Sequence, residues 1–130
     1  ELGKSACSIK VRYSFEPKIL GTAGGIKQEE AFLRETGEPF FVLNADIVSN
    51  ASLKMALERH QAGGFLATLV LRASPNAKKF GLLAVDDAGR LRKFLCSEAP
   101  GQPAGVLTEA MFTGQSVLSP DLMRERVLRN

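Results

Sequence analysis

Apolar and polar side chains alternate over Ser8-Ile9-Lys10-Val11-Arg12-Tyr13, the period of a half-exposed strand with Ile9, Val11 and Tyr13 turned inward. The period then changes. From Thr22 or Ala23 to about Glu35, the apolar residues Ile26, Ala31, Phe32 and Leu33 recur at helical spacing, and Thr36-Gly37-Glu38-Pro39 supplies a stop, so a first amphipathic helix is expected. Phe40-Phe41-Val42-Leu43 leads into Asn44 as a continuous apolar run, the pattern of a central strand covered on both faces. A second helix follows. Its N-cap candidates lie in Ser49-Asn50-Ala51-Ser52, its stripe is Leu53, Ala56, Leu57 and His60, and Gly63-Gly64 ends it. Residues 65–71 are another apolar strand, and two strand-helix-strand passages in succession predict a mostly parallel sheet with right-handed crossovers.

Beyond Ser74-Pro75-Asn76 the pattern is that of a hairpin: strands over 81–85 and 90–95 joined by the turn Asp86-Asp87-Ala88-Gly89, which makes the sheet mixed. Residues 97–108, with Pro100, Gly101, Pro103 and Gly105, read as a surface loop. A strand over 111–118 follows. Ser119-Pro120-Asp121 has the chemistry of a helix start, with Ser at the cap, and Leu122, Met123, Val127 and Leu128 continue it. No segment repeats.

The 130 residues, 45% hydrophobic and 24% charged, suit one ordinary globular domain with one core. A net charge of +3, scattered along the chain, does not supply the clustered basic face that nucleic acid requires, and Lys78-Lys79 and Arg92-Lys93 read as solvated strand ends. Cys7 and Cys96 lie in no metal-ligand spacing, so a reduced, intracellular chain is expected. The apolar runs are far too short to span a membrane, and no basic-then-apolar leader opens the chain. These features together predict a cytoplasmic protein without membrane or nucleic-acid partners. The opening Glu1 and the basic helical pattern at the end predict an excerpt of a longer protein.

Two features carry chemistry. The first is the stretch Glu16-Pro17-Lys18-Ile19-Leu20-Gly21-Thr22-Ala23-Gly24-Gly25-Ile26, which joins strand to helix with glycines that let the backbone approach a ligand. The second is Asp46, just past the carboxyl end of the apolar run that closes on Asn44, where open α/β sheets keep their chemistry. Amides at a helix start hold anionic or carbonyl oxygens and a carboxylate holds a cation, so the pair suggests a phosphorylated, metal-bridged ligand. The plainer roles are a tight turn for the glycines and an Asx-turn or helix cap for Asp46. His60 is the one histidine, but its place on the apolar stripe predicts a packed or capping residue. Lys27 is expected to be solvated.

With GTAGGI and VLNADI at its heart, the run from Tyr13 to Ile47 resembles the sugar-phosphate nucleotidyltransferases, the nucleotide-sugar pyrophosphorylases. The resemblance continues through Ala67-Thr68-Leu69, Phe80-Gly81, the turn at Asp87-Ala88-Gly89-Arg90, Met111-Phe112-Thr113-Gly114 and Leu118-Ser119-Pro120. It implies a three-layer α/β/α, Rossmann-like nucleotidyltransferase core with a mixed, mostly parallel sheet, truncated at both ends, residues 1–130 being part of a catalytic domain. It implies nucleobase contacts from Leu20, Gly21, Thr22, Ala23, Gly24 and Gly25, with Glu16-Pro17 setting the loop's path. Asp46 becomes the catalytic ligand of Mg²⁺, and Gly81, Glu98, Thr113 and Gly114 fall on the sugar side. The substrates would be a nucleoside triphosphate and a sugar 1-phosphate. The Phe-Thr-Gly strand leans toward the branch that handles mannose, heptose or N-acetylmuramic acid 1-phosphates; base and sugar stay open.

The chain departs from the family at three places. The glycine-rich triphosphate segment, with its Arg and downstream Pro-Lys, does not occur in these residues, and no residue matches the second metal aspartate: Asp86 and Asp87 look like turn residues and Asp121 like a helix start. Leu95-Cys96-Ser97-Glu98-Ala99-Pro100 stands where the family has Glu-Lys-Pro, so only Glu98 and Pro100 echo it and the cation is missing. The 130 residues alone are therefore expected to be inactive or nearly so. Two other functions stay open: a catalytically silent regulatory subunit that binds nucleotide-sugar, and a non-catalytic α/β binding domain whose GTAGG is only a turn. Unpaired strand edges left by missing elements would favour a homo-oligomer.

Overall fold

The computed structural model describes residues 5–6, 9–77, 83–94, 97–98, 100–101 and 105–124. Cys7, Cys96, Lys78, Lys79, Phe80 and Gly81, and the positions from 125 on where the expected helix would continue, lie outside the described residues. The chain divides into two compact units, Glu1–Glu38 with Pro120–Asn130, and Pro39–Ser119.

In the first unit, strands β1 (Ser5–Ala6) and β2 (Ile9–Lys10) form a two-stranded antiparallel ribbon. The strand expected to run to Tyr13 stops at Lys10, and Ile9 and Tyr13 are mostly exposed rather than inward. A ribbon of two residues a side is too short to support an alternating buried face, so the period-2 pattern is not realised as a longer strand. The expected first helix is present as two pieces, α1 (Gly21–Gln28) and α2 (Glu30–Arg34), broken at Glu29, where φ is −92° and ψ 14°. Arg12 sits at that break. It pairs with Glu29 Oε2 at 3.0 Å, and its guanidinium lies 4.9 Å from the centroid of the Phe32 ring, which stays half-exposed. Lys27 is not simply solvated as expected. Its ammonium donates to Glu30 Oε2 at 2.5 Å and to the Met123 carbonyl at 3.1 Å in the 3₁₀ turn Pro120–Arg124, and Met123 is buried. The Lys27 hydrogen bond holds the Glu30 carboxyl below the usual carboxylate range, with Arg34 adding to it.

The second unit is a six-stranded sheet built around its longest strand. Strands β3 (Phe40–Leu43), β4 (Ala67–Ala73), β5 (Leu83–Val85), β6 (Leu91–Phe94), β7 (Ser97–Glu98) and β8 (Thr108–Leu118) run in the order β3-β8-β5-β6-β7, with β4 on β8 as well. Every pairing among the described residues is antiparallel, which corrects the expected mostly parallel sheet. β3 and β4, joined by helix α3 (Leu53–Gly63), do run in the same direction, but β8 returns between them: Leu118 faces both Phe40 and Ala67. An apolar run reports covered faces, not the direction of the neighbour, and β8 arrives from far down the chain. β3 is also not the doubly covered strand expected, since among the described residues it pairs with β8 alone, and Phe41 and Leu43 remain 39% and 49% exposed.

α3 and the β5–β6 hairpin follow their sequence, whereas the strand expected over 65–71 runs Ala67–Ala73 and the loop expected over 97–108 opens with β7, which pairs with β6. Ser52 caps α3, its hydroxyl accepting from the Met55 amide at 3.2 Å, and Gly64 ends it in the left-handed region. The β5–β6 hairpin turns on Asp86, whose Oδ1 accepts from the amides of Ala88 and Arg90 at 3.1 and 2.9 Å, as a turn residue should. β8 begins at Thr108, three residues before the expected start. The core consists of Ala77, Leu83, Ala84, Ala110, Val117 and Leu118.

His60, 1% exposed, is a packed histidine. Ser119 Oγ donates to the Phe65 carbonyl at 2.9 Å, so the His60 Nε2–H donates to Ser119 Oγ at 2.9 Å, and Thr68 Oγ1 donates to Nδ1 at 3.0 Å. Ser119 therefore does not cap the turn that follows; its hydroxyl is held inside the sheet unit. Burial pushes the His60 pKa below its ordinary value of 6.5. The unfolded chain then takes up the proton first as pH falls, so the stability due to neutral His60 is complete above pH 6.5 and declines below it. Urea unfolding is expected to show a midpoint that drops from pH 6.5 toward the carboxylate range, and His60→Gln should flatten that drop.

Gln115 carries the opposite lesson. Its Oε1 is buried without a hydrogen-bond partner among the described residues. A buried unpaired acceptor costs about 1–3 kcal/mol, so Gln115→Met is expected to stabilise the fold by about 1 kcal/mol in a denaturant midpoint. No helix among the described residues is long and apolar enough to cross a membrane.

Candidate functional site

The glycine loop belongs to the first unit. The approach to it is tied to the departing helix by Gln28, whose Nε2 donates to Ser14 Oγ at 2.8 Å and to the Phe15 carbonyl at 3.1 Å. The loop itself is closed by Glu16, whose Oε2 accepts from the Leu20 amide at 2.9 Å. Gly21 then turns the chain with φ +73°, a left-handed value that favours glycine, and α1 starts there with no side-chain cap. Gly24 and Gly25 are needed for another reason. A Cβ on Gly24 would stand 2.6 Å from Leu20 Cβ, and one on Gly25 2.5 Å from Glu16 Oε1. The loop is thus folded back on the first turn of α1, and the amides of that turn have no intrahelical partner. Leu20, Gly21, Thr22 and Ala23 are exposed, and Gly24 and Gly25 half-buried. Sequence reasoning missed Gln28; its spacing from Ser14 gave no signal, because the contact depends on the loop's fold.

Asp46 belongs to the second unit. β3 ends with Leu43 opposite Gln115, and one further hydrogen bond, from the Asn44 amide to the Gly114 carbonyl at 2.9 Å, extends the ladder before the chain turns. The Ile47 amide closes that turn on the Asn44 carbonyl at 3.4 Å, with Ala45 and Asp46 at its tip. The Asp46 side chain is exposed and takes part in no hydrogen bond or ion pair among the described residues. It caps nothing: the cap of α3 is Ser52.

Gly114 lies beneath this turn. Between the pairs Leu69–Ser116 and Leu71–Phe112, β4 has only Val70 while β8 has Thr113, Gly114 and Gln115, so β8 bulges there. Gly114 adopts φ +74°, and Thr113 Oγ1 donates to the Val70 carbonyl at 2.7 Å. Gly81 lies outside the described residues, and Glu98 is known here only as part of β7, opposite Lys93.

A single carboxylate is a partial cation site. No group of three or more His, Cys, Asp or Glu side chains capable of holding a metal occurs among the described residues. That donor set still fits Mg²⁺, which is usually bound by one or two carboxylates with water and substrate phosphates completing the shell.

Against known proteins, residues 1–127 match the family model described as nucleotidyl transferase. The mannose-1-phosphate guanylyltransferase 1 of Arabidopsis thaliana is 34% identical over 93% of this chain and 33% of its own length. The mannose-1-phosphate guanyltransferase of Kluyveromyces lactis is 35% identical over 88% of this chain and 31% of its own. The mannose-1-phosphate guanylyltransferase catalytic subunit beta of Danio rerio is 30% identical over 93% and 32%. The chain spans about a third of the length of these curated relatives. Its fold resembles the crystal structure of HddC from Yersinia pseudotuberculosis, with a TM-score of 0.59 at 19% identity over 85% of this chain and 45% of that one. With the model matched from residue 1 to residue 127, this chain belongs to the nucleotidyl transferase family.

Proposed function

We propose that the full-length protein joins a nucleoside triphosphate to a sugar 1-phosphate, releasing pyrophosphate. An oxygen of the sugar phosphate attacks the α-phosphorus, a new P–O bond forms, and the bond to the β-phosphate breaks in line with it. The observation that carries this reading is the exposed Asp46 carboxylate just past the end of β3, without a partner among the described residues, in a chain of this family. Asp46 would hold Mg²⁺, which supplies neutralisation of the charge developing on the phosphates. The backbone of Leu20 to Gly25 would receive the nucleobase, with Glu16 holding the loop in shape. Gly81, Glu98, Thr113 and Gly114 would lie on the sugar side. The relatives' names make guanosine triphosphate and mannose 1-phosphate the first substrates to test. A cytoplasmic enzyme, with helices on both faces of the completed sheet, goes with this reading.

The test is pyrophosphate release by the full-length protein with each nucleoside triphosphate and a panel of sugar 1-phosphates, with and without Mg²⁺. Turnover with one pair, dependent on Mg²⁺, is expected. The isolated 130 residues should be at least about 100-fold slower, because the family's triphosphate-binding segment is not among them. Binding of nucleotide-sugar without turnover by the full-length protein would instead favour a silent regulatory subunit. No nucleotide affinity at all would leave GTAGG as a structural turn.

A further inference from the structure

We propose that the β8 bulge, with Gly114 at its centre, is the device that positions the Asp46 carboxylate. The proposal rests on the reading of Asp46 as the cation ligand. Two independent features of Gly114 grip the Asp46 turn. Its carbonyl accepts the Asn44 amide at 2.9 Å, which fixes where the chain leaves β3. Its missing Cβ is the second: a methyl built there would collide with Ile47 Cδ1 and lie 3.1 and 3.2 Å from Asn44 Nδ2 and Cβ. Asn44 and Ile47 are the two ends of the turn that carries Asp46, so both ends rest on one glycine.

The bulge explains how a glycine in mid-strand comes to face the turn in this way. With three β8 residues opposite the single Val70, the backbone at Gly114 swings to φ +74°, and the Val70 carbonyl receives a side-chain donor, the Thr113 hydroxyl at 2.7 Å. Thr113 holds the bulge closed and Gly114 seats the turn. Thr113 and Gly114 are therefore positioning residues that act on the cation through Asp46.

The experiment uses the full-length protein and Mn²⁺ as a paramagnetic probe, read by broadening of the backbone amides of residues 44–47, together with the Mn²⁺ concentration giving half-maximal turnover. Gly114→Ala is expected to raise the Mn²⁺ needed for both about tenfold or more, beyond any change in the KM for sugar 1-phosphate that its place on the sugar side brings. Adding Ile47→Ala clears the space that the new methyl needs and should recover part of that loss. Thr113→Val, which keeps the shape but removes the donor to Val70, should also weaken the Mn²⁺ response. It serves as the second variant if Gly114→Ala does not fold. A Gly114→Ala protein that raises only the sugar phosphate KM, with an unchanged Mn²⁺ response, overturns the proposal. So does a double variant without any recovery. An Asp46→Asn protein with wild-type Mn²⁺ broadening overturns the reading of Asp46 itself, which keeps the two failures apart.

Discussion

Asp46→Asn in the full-length protein is expected to lower turnover by on the order of 100-fold or more while leaving stability within about 0.5 kcal/mol. The two halves of that expectation have separate origins. On the proposed reading, the loss of rate follows from removing a charge that shares a divalent cation with the substrate's phosphates. The unchanged stability follows from the folded structure, where the carboxylate is exposed, accepts no hydrogen bond and pairs with no cation among the described residues. A carboxylate serving as an Asx-turn or helix cap would behave the other way, costing about 1 kcal/mol of stability on removal. Steady-state kinetics with varied Mg²⁺, beside a denaturant titration of the same variant, checks both halves.

Gly24→Ala is expected to separate helix stability from ligand affinity, with opposite signs. Gly24 lies inside α1, where alanine is the better helix former by up to about 1 kcal/mol. Its Cβ would nevertheless lie 2.6 Å from Leu20 Cβ, an atom fixed to the backbone that cannot rotate away. The loop must shift, and a displacement of an ångström in a positioning element typically costs up to about 100-fold. The dissociation constant for the nucleotide should therefore rise tenfold or more, in titration calorimetry, without loss of thermal stability. Gly25→Ala meets Glu16 Oε1 instead, the end of a side chain that can move, and its cost is the Glu16 bond to the Leu20 amide. It should be the milder of the two. Equal affinities for Gly24→Ala and the parent would mean that the loop does not contact the nucleotide.

Local signals were legible wherever neighbouring residues decide the outcome. Ser52 and Gly64 bound α3 as their chemistry requires, Asp86 builds the hairpin turn, and His60 is buried on the stripe where the helical period puts it. Family motifs also placed the chain correctly, since those spread in order from Tyr13 to Pro120 lie within the residues that the family model matches. What could not be read was strand neighbourhood. The run Phe40 to Leu43 looks the same whether its partner is parallel or antiparallel, and only the long return of β8 decides it. A glycine in a strand often marks a bulge, as Gly114 does, but its service to the Asp46 turn could not be read, since that contact joins residues far apart in the chain. Lys27 shows the same limit: the helical wheel placed it in solvent, and the Met123 carbonyl drew it in.

The most direct test of the account is thermal unfolding of the full-length protein with each nucleoside triphosphate and nucleotide-sugar, with and without Mg²⁺, beside the Asp46→Asn variant. The account predicts an upward shift in Tm for one base that needs Mg²⁺ and is lost in the variant. A shift that is the same without Mg²⁺ or in Asp46→Asn, or none for any nucleotide, would contradict it.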